Sequence, residues 1–390
     1  MRLNLLLQRE PFGEILEETM AGYWSNQGDF ECKLHWGKSK VSGQTWRGNI
    51  YLNFFCIDDV DPACFEIIKR EFSHSHKWSR RWIQAAYVQA AVCSSVRNLL
   101  SQVQFTVSRE VQLAREQLLI GGNRRMRIIH PAAGKSTVIH KHGFDRLGFD
   151  REVFARMGPA AGVAPRFFGL DKGGASFSEA YFIGTPANRF PIDRQADYCH
   201  DAIERLILEV HRPSLRTVLV SDYLDQLAHR LGEFSETFTD PILPLLKWLN
   251  ERVGDASLGL VFSHGDFQGA NILINGEVLH IIDWENATER SQLYDLATME
   301  SGIRLSEDSV QAWCDQTEKW LHQSNNFPAL EVSADGSNEQ LLYAVVWWIE
   351  EMVFQLEDAE LSSFANVEAA IEEQRLNVNV VLKFLIALGL

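Results

Sequence analysis

Three polar residues whose types suit phosphate chemistry lie within one short segment, residues 263–285. Asp266 ends the strand-like stretch LVFSHGD, and Asn271 follows five residues later. Two apolar runs joined by an Asn-Gly turn then predict a hairpin, which returns Asp283 toward the first two residues. Phosphoryl transfer needs a carboxylate that orients the attacking hydroxyl, and it needs oxygen ligands for Mg²⁺. Two aspartates and one asparagine brought together in this way supply both requirements.

The order and spacing of two motifs extend this interpretation. H-G-D-x-x-x-x-N-I-L followed by I-I-D-W-E resembles the catalytic and metal-binding loops of the aminoglycoside phosphotransferase and choline kinase superfamily. The resemblance covers about residues 112–365. It implies Asp266 as the catalytic base, Asn271 and Asp283 as ligands of Mg²⁺, and ATP as the phosphate donor.

Three further residues near these motifs are candidates for supporting roles. By the same resemblance, His264 and Asp295 brace the catalytic loop, and Asp295 lies in a Y-D-L-A sequence similar to the family's D-L-A element. Glu285 follows the metal-binding aspartate by two positions. That separation allows it to reach a metal-bound water or the substrate.

The segment upstream predicts the nucleotide contacts. LLIGGNRRMRIIHPAAGKSTVIHKHG has the pattern of three short strands joined by two turns. Lys141 ends the third strand, where the family places its phosphate-binding lysine. Glu152, in a helix predicted over 149–157, is expected to pair with Lys141 and hold it toward the phosphates. The alternative is an exposed strand lysine and a surface glutamate.

The first of those two turns contains Gly121, Gly122 and Asn123. By the resemblance, this turn is expected to lie over the phosphates of ATP. The sequence lacks the full G-x-G-x-x-G of protein kinases, so a simple hairpin turn is the alternative.

The pattern of elements predicts an α+β fold. A small antiparallel β lobe is followed by a larger helical lobe, as in a bilobal protein-kinase-like fold, and an additional α/β module precedes both. We expect three domains: 1–110, an N-terminal module of unknown role; 111–184, the ATP-binding lobe and linker; and 185–390, the helical catalytic and acceptor-binding lobe.

A strongly apolar helix predicted over 341–358 offers one candidate for the acceptor pocket. Trp347, Trp348, Glu350 and Glu351 combine aromatic rings with carboxylates, which suit a sugar ring or an ammonium group. The alternative is that tryptophans at this density form core.

Composition restricts the class of protein. The first residues lack the apolar core of a signal peptide, and no run of about 18 apolar residues predicts a membrane span. The six scattered cysteines contain no C-x-x-C pair, which favours a cytoplasmic location. The formal charge of −15 is unevenly spread, with about +1 on residues 1–110 and −16 on residues 111–390, and the acidic part disfavours nucleic acid as a partner.

Together these features predict a kinase that uses ATP and Mg²⁺ and phosphorylates a hydroxyl of a small molecule. A sugar, an aminosugar or aminoglycoside, or an amino alcohol is the expected acceptor. One alternative is a catalytically weak, nucleotide-binding regulatory pseudokinase. Another is a kinase whose acceptor is a glycan or a protein, in which case the 1–110 module is expected to bind that larger partner.

Overall fold

The computed structural model divides the chain into two compact units. Unit 1 comprises residues 1–146 and 165–185, and unit 2 comprises 147–164 and 186–390. The structure describes residues 3–28, 31–39, 42–72, 78–234, 236–301, 314, 337–361 and 367–387.

Unit 1 is built on one nine-stranded antiparallel sheet. Its strands are β1 (Leu34–Trp36), β2 (Gln44–Asn49), β3 (Phe54–Ile57), β4 (Val103–Val107), β5 (Leu118–Gly121), β6 (Arg125–His130), β7 (Lys135–His140), β8 (Phe167–Leu170) and β9 (Ser176–Ala180). The strand order is β1-β4-β2-β3-β5-β6-β7-β9-β8. Its helices are α1 (Leu3–Arg9), α2 (Phe12–Gly28), α3 (Glu66–Glu71), α4 (Trp78–Val92) and α5 (Ser94–Arg97).

Strands β5, β6 and β7 confirm the three strands and two turns predicted from the sequence. Between β6 and β7 the chain makes a short 3-10 helix, Pro131–Ala133, and then turns at Gly134, whose φ is +59°. Glycine is favoured there because it has no Cβ to clash in the left-handed region.

The N-terminal part of unit 1 continues the same sheet. Strand β3 pairs with β5 through Phe55 and Leu119, and both residues are fully buried. Rings pack across this part of the sheet, with Trp46 stacked on Phe105 at 5.9 Å between centroids. The compact units therefore do not separate at the predicted 110/111 boundary, because a shared sheet and core cross it.

Unit 2 is mainly helical. Its helices are α6 (Leu147–Met157), α7 (Ile192–Leu206), α8 (Arg212–Ser214), α9 (Val220–Gly232), α10 (Leu243–Val253), α11 (Tyr294–Ser301), α12 (Ser337–Leu361) and α13 (Val367–Ala387). The remaining strands are β10 (Thr185–Pro186), β11 (Arg216–Leu219), β12 (Ser257–Ser263), β13 (Ile272–Asn275), β14 (Val278–Ile281) and β15 (Thr288–Ser291). They form two three-stranded sheets, ordered β10-β13-β14 and β11-β12-β15.

The predicted α+β class is confirmed. The order β5-β6-β7-β9-β8 gives the expected small antiparallel sheet, and the second unit supplies the expected helices. Within the described part of the chain, every helix is too short or too polar to cross a membrane.

Candidate active site

The first site element is the loop that follows β12. Asn271 Nδ2 donates to the backbone oxygen of Asp266 at 2.9 Å and to its Oδ2 atom at 3.2 Å. Gln268 Nε2 donates to the other carboxylate oxygen, Oδ1, at 3.0 Å. Two amide groups therefore fix the orientation of the Asp266 carboxylate. The structure places two of the predicted site residues in direct contact.

The β13–β14 hairpin brings the third residue back to this loop. Ile272 pairs with Ile281 across the hairpin, and the Ile282 amide then donates to the backbone oxygen of Asn271 at 2.9 Å. Asp283 follows immediately, so the predicted return of the chain toward Asn271 is observed. Asp283 adopts the left-handed region, with φ 67° and ψ 60°, which costs about 1–3 kcal/mol for a residue other than glycine.

Asp295, at the start of α11, accepts hydrogen bonds from the backbone of the same loop. Its Oδ2 atom accepts from the His264 amide at 2.8 Å, and its Oδ1 atom accepts from the Gly265 amide at 3.0 Å. Ser263 Oγ donates to Oδ1 at 2.9 Å. This fully buried carboxylate therefore fixes three consecutive residues of the loop.

A fourth partner of Asp295 was not predicted from the sequence. His211 Nε2 lies 3.0 Å from Oδ2, and both side chains are buried, at 2% and 0% exposure. Burial by itself raises the pKa of the Asp295 carboxyl, but the hydrogen bond and charge of His211, with help from His264 and the Gly265 amide, lower it from 3.8 to about 2. His211 ends a π-helical turn, Ile207–His211, and no motif in the sequence indicates it.

The His264 side chain connects the two loops. The Asp266 amide donates to Nδ1 at 3.2 Å, so the ring proton is on Nε2, which donates to the Ile282 backbone oxygen at 2.9 Å. The ring also lies 4.6 Å from the Trp284 ring. His264 thus contacts the backbone next to both aspartates, an arrangement suited to the bracing role that the resemblance implies.

The donor set suits a hard divalent cation. Because Asn271 uses its Nδ2 atom on Asp266, its Oδ1 oxygen is the atom that remains for a cation. Mg²⁺ typically takes one or two protein ligands and completes its shell with phosphate oxygens and water. Among the residues that the structure describes, no group of three or more His, Cys, Asp or Glu side chains is arranged to hold a metal ion. Glu285 lies half-buried in the 3-10 helix Trp284–Asn286 that follows Asp283.

In unit 1, Lys141 has a different partner from the one predicted. Its ammonium group pairs with Glu10 and donates to the Asn123 backbone oxygen at 2.9 Å. Burial lowers the pKa of Lys141, and the hydrogen bond and charge of Glu10 oppose this effect. The partner of Lys141 within unit 1 is therefore Glu10, and the pairing with Glu152 stays a prediction.

Glu152 lies on α6, in the other compact unit. The helix belongs to unit 2, where Phe154 packs on Phe262 with 5.8 Å between ring centroids. Glu152 itself is buried there, at 2% exposure. The sequence spacing correctly predicted the helix, but the spacing does not specify the unit against which a short helix packs.

The glycine turn contacts Lys141 through a hydrogen bond. Asn123, in the turn, supplies the oxygen that Lys141 contacts, and the backbone oxygen of Gly121 accepts from Asn53 Nδ2 at 2.8 Å. Gly122 approaches the backbone closely, since an added Cβ would lie 2.8 Å from the Arg125 oxygen. The turn and the lysine are thus one connected structure, and their role in binding phosphates stays a prediction.

The aromatic and acidic residues of α12 form core. Trp347 and Trp348 are 1% and 0% exposed. Glu350 accepts from the Ser291 amide at 2.6 Å and from the Tyr223 hydroxyl at 2.5 Å, and Glu351 accepts from a tyrosine hydroxyl. Because these carboxylates are buried and used internally, the core interpretation holds and the acceptor-pocket interpretation does not.

Comparison with known proteins is consistent with this site. Residues 198–323 match the family model described as the phosphotransferase enzyme family, which confirms the resemblance seen in the motifs. That range contains Asp266, Asn271, Asp283 and both bracing residues. No curated protein matches the chain significantly in sequence.

Several solved structures are distantly similar. A choline/ethanolamine kinase family protein from Mesorhizobium loti is 15% identical, with 68% of this chain and 88% of that chain covered and a TM-score of 0.38. A choline kinase from Cryptosporidium parvum is 12% identical, with 70% and 90% covered and a TM-score of 0.44. An aminoglycoside phosphotransferase from Streptomyces rimosus is 16% identical, with 60% and 92% covered and a TM-score of 0.35.

Proposed function

We propose that this chain, whose residues 198–323 match the phosphotransferase enzyme family, transfers the γ-phosphate of ATP to a hydroxyl of a small molecule. One observation carries the proposal. The Asp266 carboxylate is held by amide groups of Asn271 and Gln268, and the hairpin that follows returns Asp283 to the backbone of Asn271. A positioned base beside two oxygen ligands is what phosphoryl transfer requires of a protein.

The residues act in the following way. Asp266 accepts a hydrogen bond from the acceptor hydroxyl and takes its proton as the new oxygen–phosphorus bond forms and the bond from the γ-phosphorus to the bridging oxygen breaks. Asn271 Oδ1 and the Asp283 carboxylate would hold Mg²⁺. When bound, the cation neutralises charge on the phosphate oxygens. Lys141 adds a second positive charge toward the phosphates.

The acceptor is proposed as a sugar, an aminosugar or aminoglycoside, or an amino alcohol. The motif resemblance supports this class of molecule. Residues 111–390 carry 40 Asp and Glu against 24 Lys and Arg, and an excess of carboxylates attracts cationic ligands over neutral ones. Amino-bearing acceptors are therefore the first to test.

The experiment is an acceptor screen with the purified full-length protein. ADP release from Mg²⁺-ATP is measured with aminoglycosides, aminosugars, neutral sugars, choline and ethanolamine, with and without EDTA. We expect at least one acceptor to stimulate ADP release in a reaction that EDTA abolishes. ATP binding without transfer to any acceptor would instead indicate the regulatory pseudokinase, and transfer only to a glycan or protein would indicate the larger acceptor.

Asp283 offers a substitution that separates charge from backbone conformation. Asn tolerates the left-handed region better than most residues do, so Asp283→Asn is expected to change the free energy of unfolding by less than about 1 kcal/mol. Loss of the carboxylate is expected to lower kcat/KM by about 10²-fold or more, with a raised Mg²⁺ requirement. Steady-state kinetics over a Mg²⁺ titration, together with urea unfolding, measure both effects.

Asp283→Ala is the matched comparison. It removes the same charge but places alanine at φ 67°, so it should lose about 1 kcal/mol more stability than Asp283→Asn. Wild-type kinetics in the Asp283→Asn protein would contradict the metal-ligand assignment.

A further inference from the structure

The N-terminal segment, residues 3–28, contains α1 and α2 and lies outside the family match. Glu10 is at the junction of these helices, next to Pro11. Its side chain is 4% exposed and pairs with Lys141, which is 0% exposed, across 131 residues of sequence. A buried ammonium group is unfavourable unless a carboxylate neutralises it. The segment therefore supplies the charge that permits a lysine at this position.

The surroundings of the ammonium group fix its position. The Phe12 ring centroid lies 5.3 Å from Lys141 Nζ, and the Phe144 centroid lies 5.1 Å from it. The Asn123 backbone oxygen accepts at 2.9 Å. The carboxylate and one of the two rings come from the N-terminal segment, while the second ring lies in the loop after β7 and the backbone oxygen lies in the glycine turn.

The same segment also contacts the glycine turn and His142, the residue that follows the lysine. An added Cβ on Gly121 would lie 3.2 Å from Leu6 Cδ1 and 3.4 Å from Phe12 Cζ, so α1 and α2 pack against the glycine turn. On the other side, the His142 amide donates to Thr19 Oγ1 at 2.9 Å. The segment therefore contacts the chain at both the glycine turn and the residue after Lys141.

We propose that the N-terminal segment completes the nucleotide site of this chain and that Glu10 is the positioning residue for Lys141. This inference rests on the proposed function, because Lys141 is the residue through which Glu10 acts. Glu10 does not contact the reacting atoms. It keeps Lys141 charged and holds its ammonium group beside the glycine turn.

The test compares Glu10→Gln with Glu18→Gln. Both remove one carboxylate from the N-terminal segment, but Glu18 pairs with His142 at the surface, with side chains 61% and 65% exposed. We expect Glu10→Gln to raise the Kd for Mg²⁺-ATP by about 10- to 100-fold, as measured by calorimetry. We expect Glu18→Gln to leave it within about twofold. Glu10→Asp, which keeps the charge, should recover part of the affinity.

A separate control excludes general loosening of unit 1. Leu16 is fully buried in α2, so Leu16→Ala destabilises the same segment without altering the ion pair. At a temperature where all variants are folded by circular dichroism, Leu16→Ala should bind ATP like the wild type. If Leu16→Ala and Glu10→Gln weakened ATP binding equally, Glu10 would only stabilise the fold of unit 1. That result would overturn the inference.

Calorimetry needs no acceptor, which separates the two proposals. If the wild type binds ATP but transfers phosphate to nothing, the proposed function fails and the Glu10 comparison still stands. If transfer occurs and Glu10→Gln binds ATP as the wild type does, only the Glu10 role is overturned. If Glu152→Gln weakened ATP binding and Glu10→Gln did not, Glu152 would be the residue that positions Lys141, and the role proposed for Glu10 would be wrong.

Discussion

Asp266→Ala is expected to lower kcat by about 10²–10⁴-fold, with the Kd for Mg²⁺-ATP changed by less than about threefold. In the proposed reaction the Asp266 carboxylate acts only as the base. ATP affinity should therefore change little, because the Mg²⁺ ligands are assigned to Asn271 and Asp283. Its partners, Asn271 and Gln268, lose hydrogen bonds to the side chain. Single-turnover transfer and calorimetry on the same preparation measure the two quantities.

The matched control is Asp255→Ala. Asp255 is exposed in the turn between α10 and β12, so the substitution removes the same group outside the two motifs. It should leave both kcat and ATP affinity unchanged. If Asp266→Ala turned over at the wild-type rate, Asp266 would not be the base and the proposed reaction would lose its central residue.

The largest effect on stability is expected for Asp295→Asn. The carboxylate accepts from two backbone amides, a serine hydroxyl and His211, all of them buried. An asparagine places its NH₂ group against one pair of these donors, leaving buried donors unsatisfied. The free energy of unfolding should fall by about 3–5 kcal/mol, because several buried donors lose a charged acceptor at once. Urea unfolding at pH 7 measures this change.

The same variant should alter the pH dependence of stability. The pKa of Asp295 is about 2 in the folded chain, below its ordinary value of 3.8. A lowered carboxyl pKa contributes stability that is complete above the unfolded pKa and is lost as pH falls through the folded one. Wild-type stability should therefore decrease from about pH 4 to about pH 2 more steeply than that of Asp295→Asn.

An exposed ion pair provides the comparison for this prediction. Glu372 and Arg375 are paired on α13 with side chains 62% and 51% exposed. Glu372→Gln should change stability by less than about 1 kcal/mol, since surface pairs contribute little. A similar small change in Asp295→Asn would show that the Asp295 network does not hold the loop.

The sequence predicted those features that depend on residues close together in the chain. Asp266 and Asn271 are five positions apart, and a single hairpin brings the chain back beside Asn271, so turn chemistry and strand pattern were enough to predict these two features. Strands β5 to β7 were predicted for the same reason. Each turn between them is marked by glycine.

The features that the sequence did not predict depend on contacts between distant residues. Glu10 and Lys141 are separated by 131 positions, and His211 and Asp295 by 84. No local period or motif encodes either contact. The spacing instead favoured Glu152, which is near Lys141 in sequence but packs with unit 2. The sequence analysis likewise assigned no function to the segment of α1 and α2, because its contacts with Lys141 and the glycine turn join residues far apart in the chain.

The pairing of β3 with β5 has a practical consequence for the choice of fragments. A polypeptide that starts at residue 111 would keep β5 but lose β3, so the backbone groups of β5 on that side would face solvent. Exposed strand edges pair with other molecules and promote aggregation. Such a fragment would also leave Lys141 without its counter-ion. Insolubility of the shortened polypeptide would therefore be a consequence of the open sheet, and it would say nothing about catalysis.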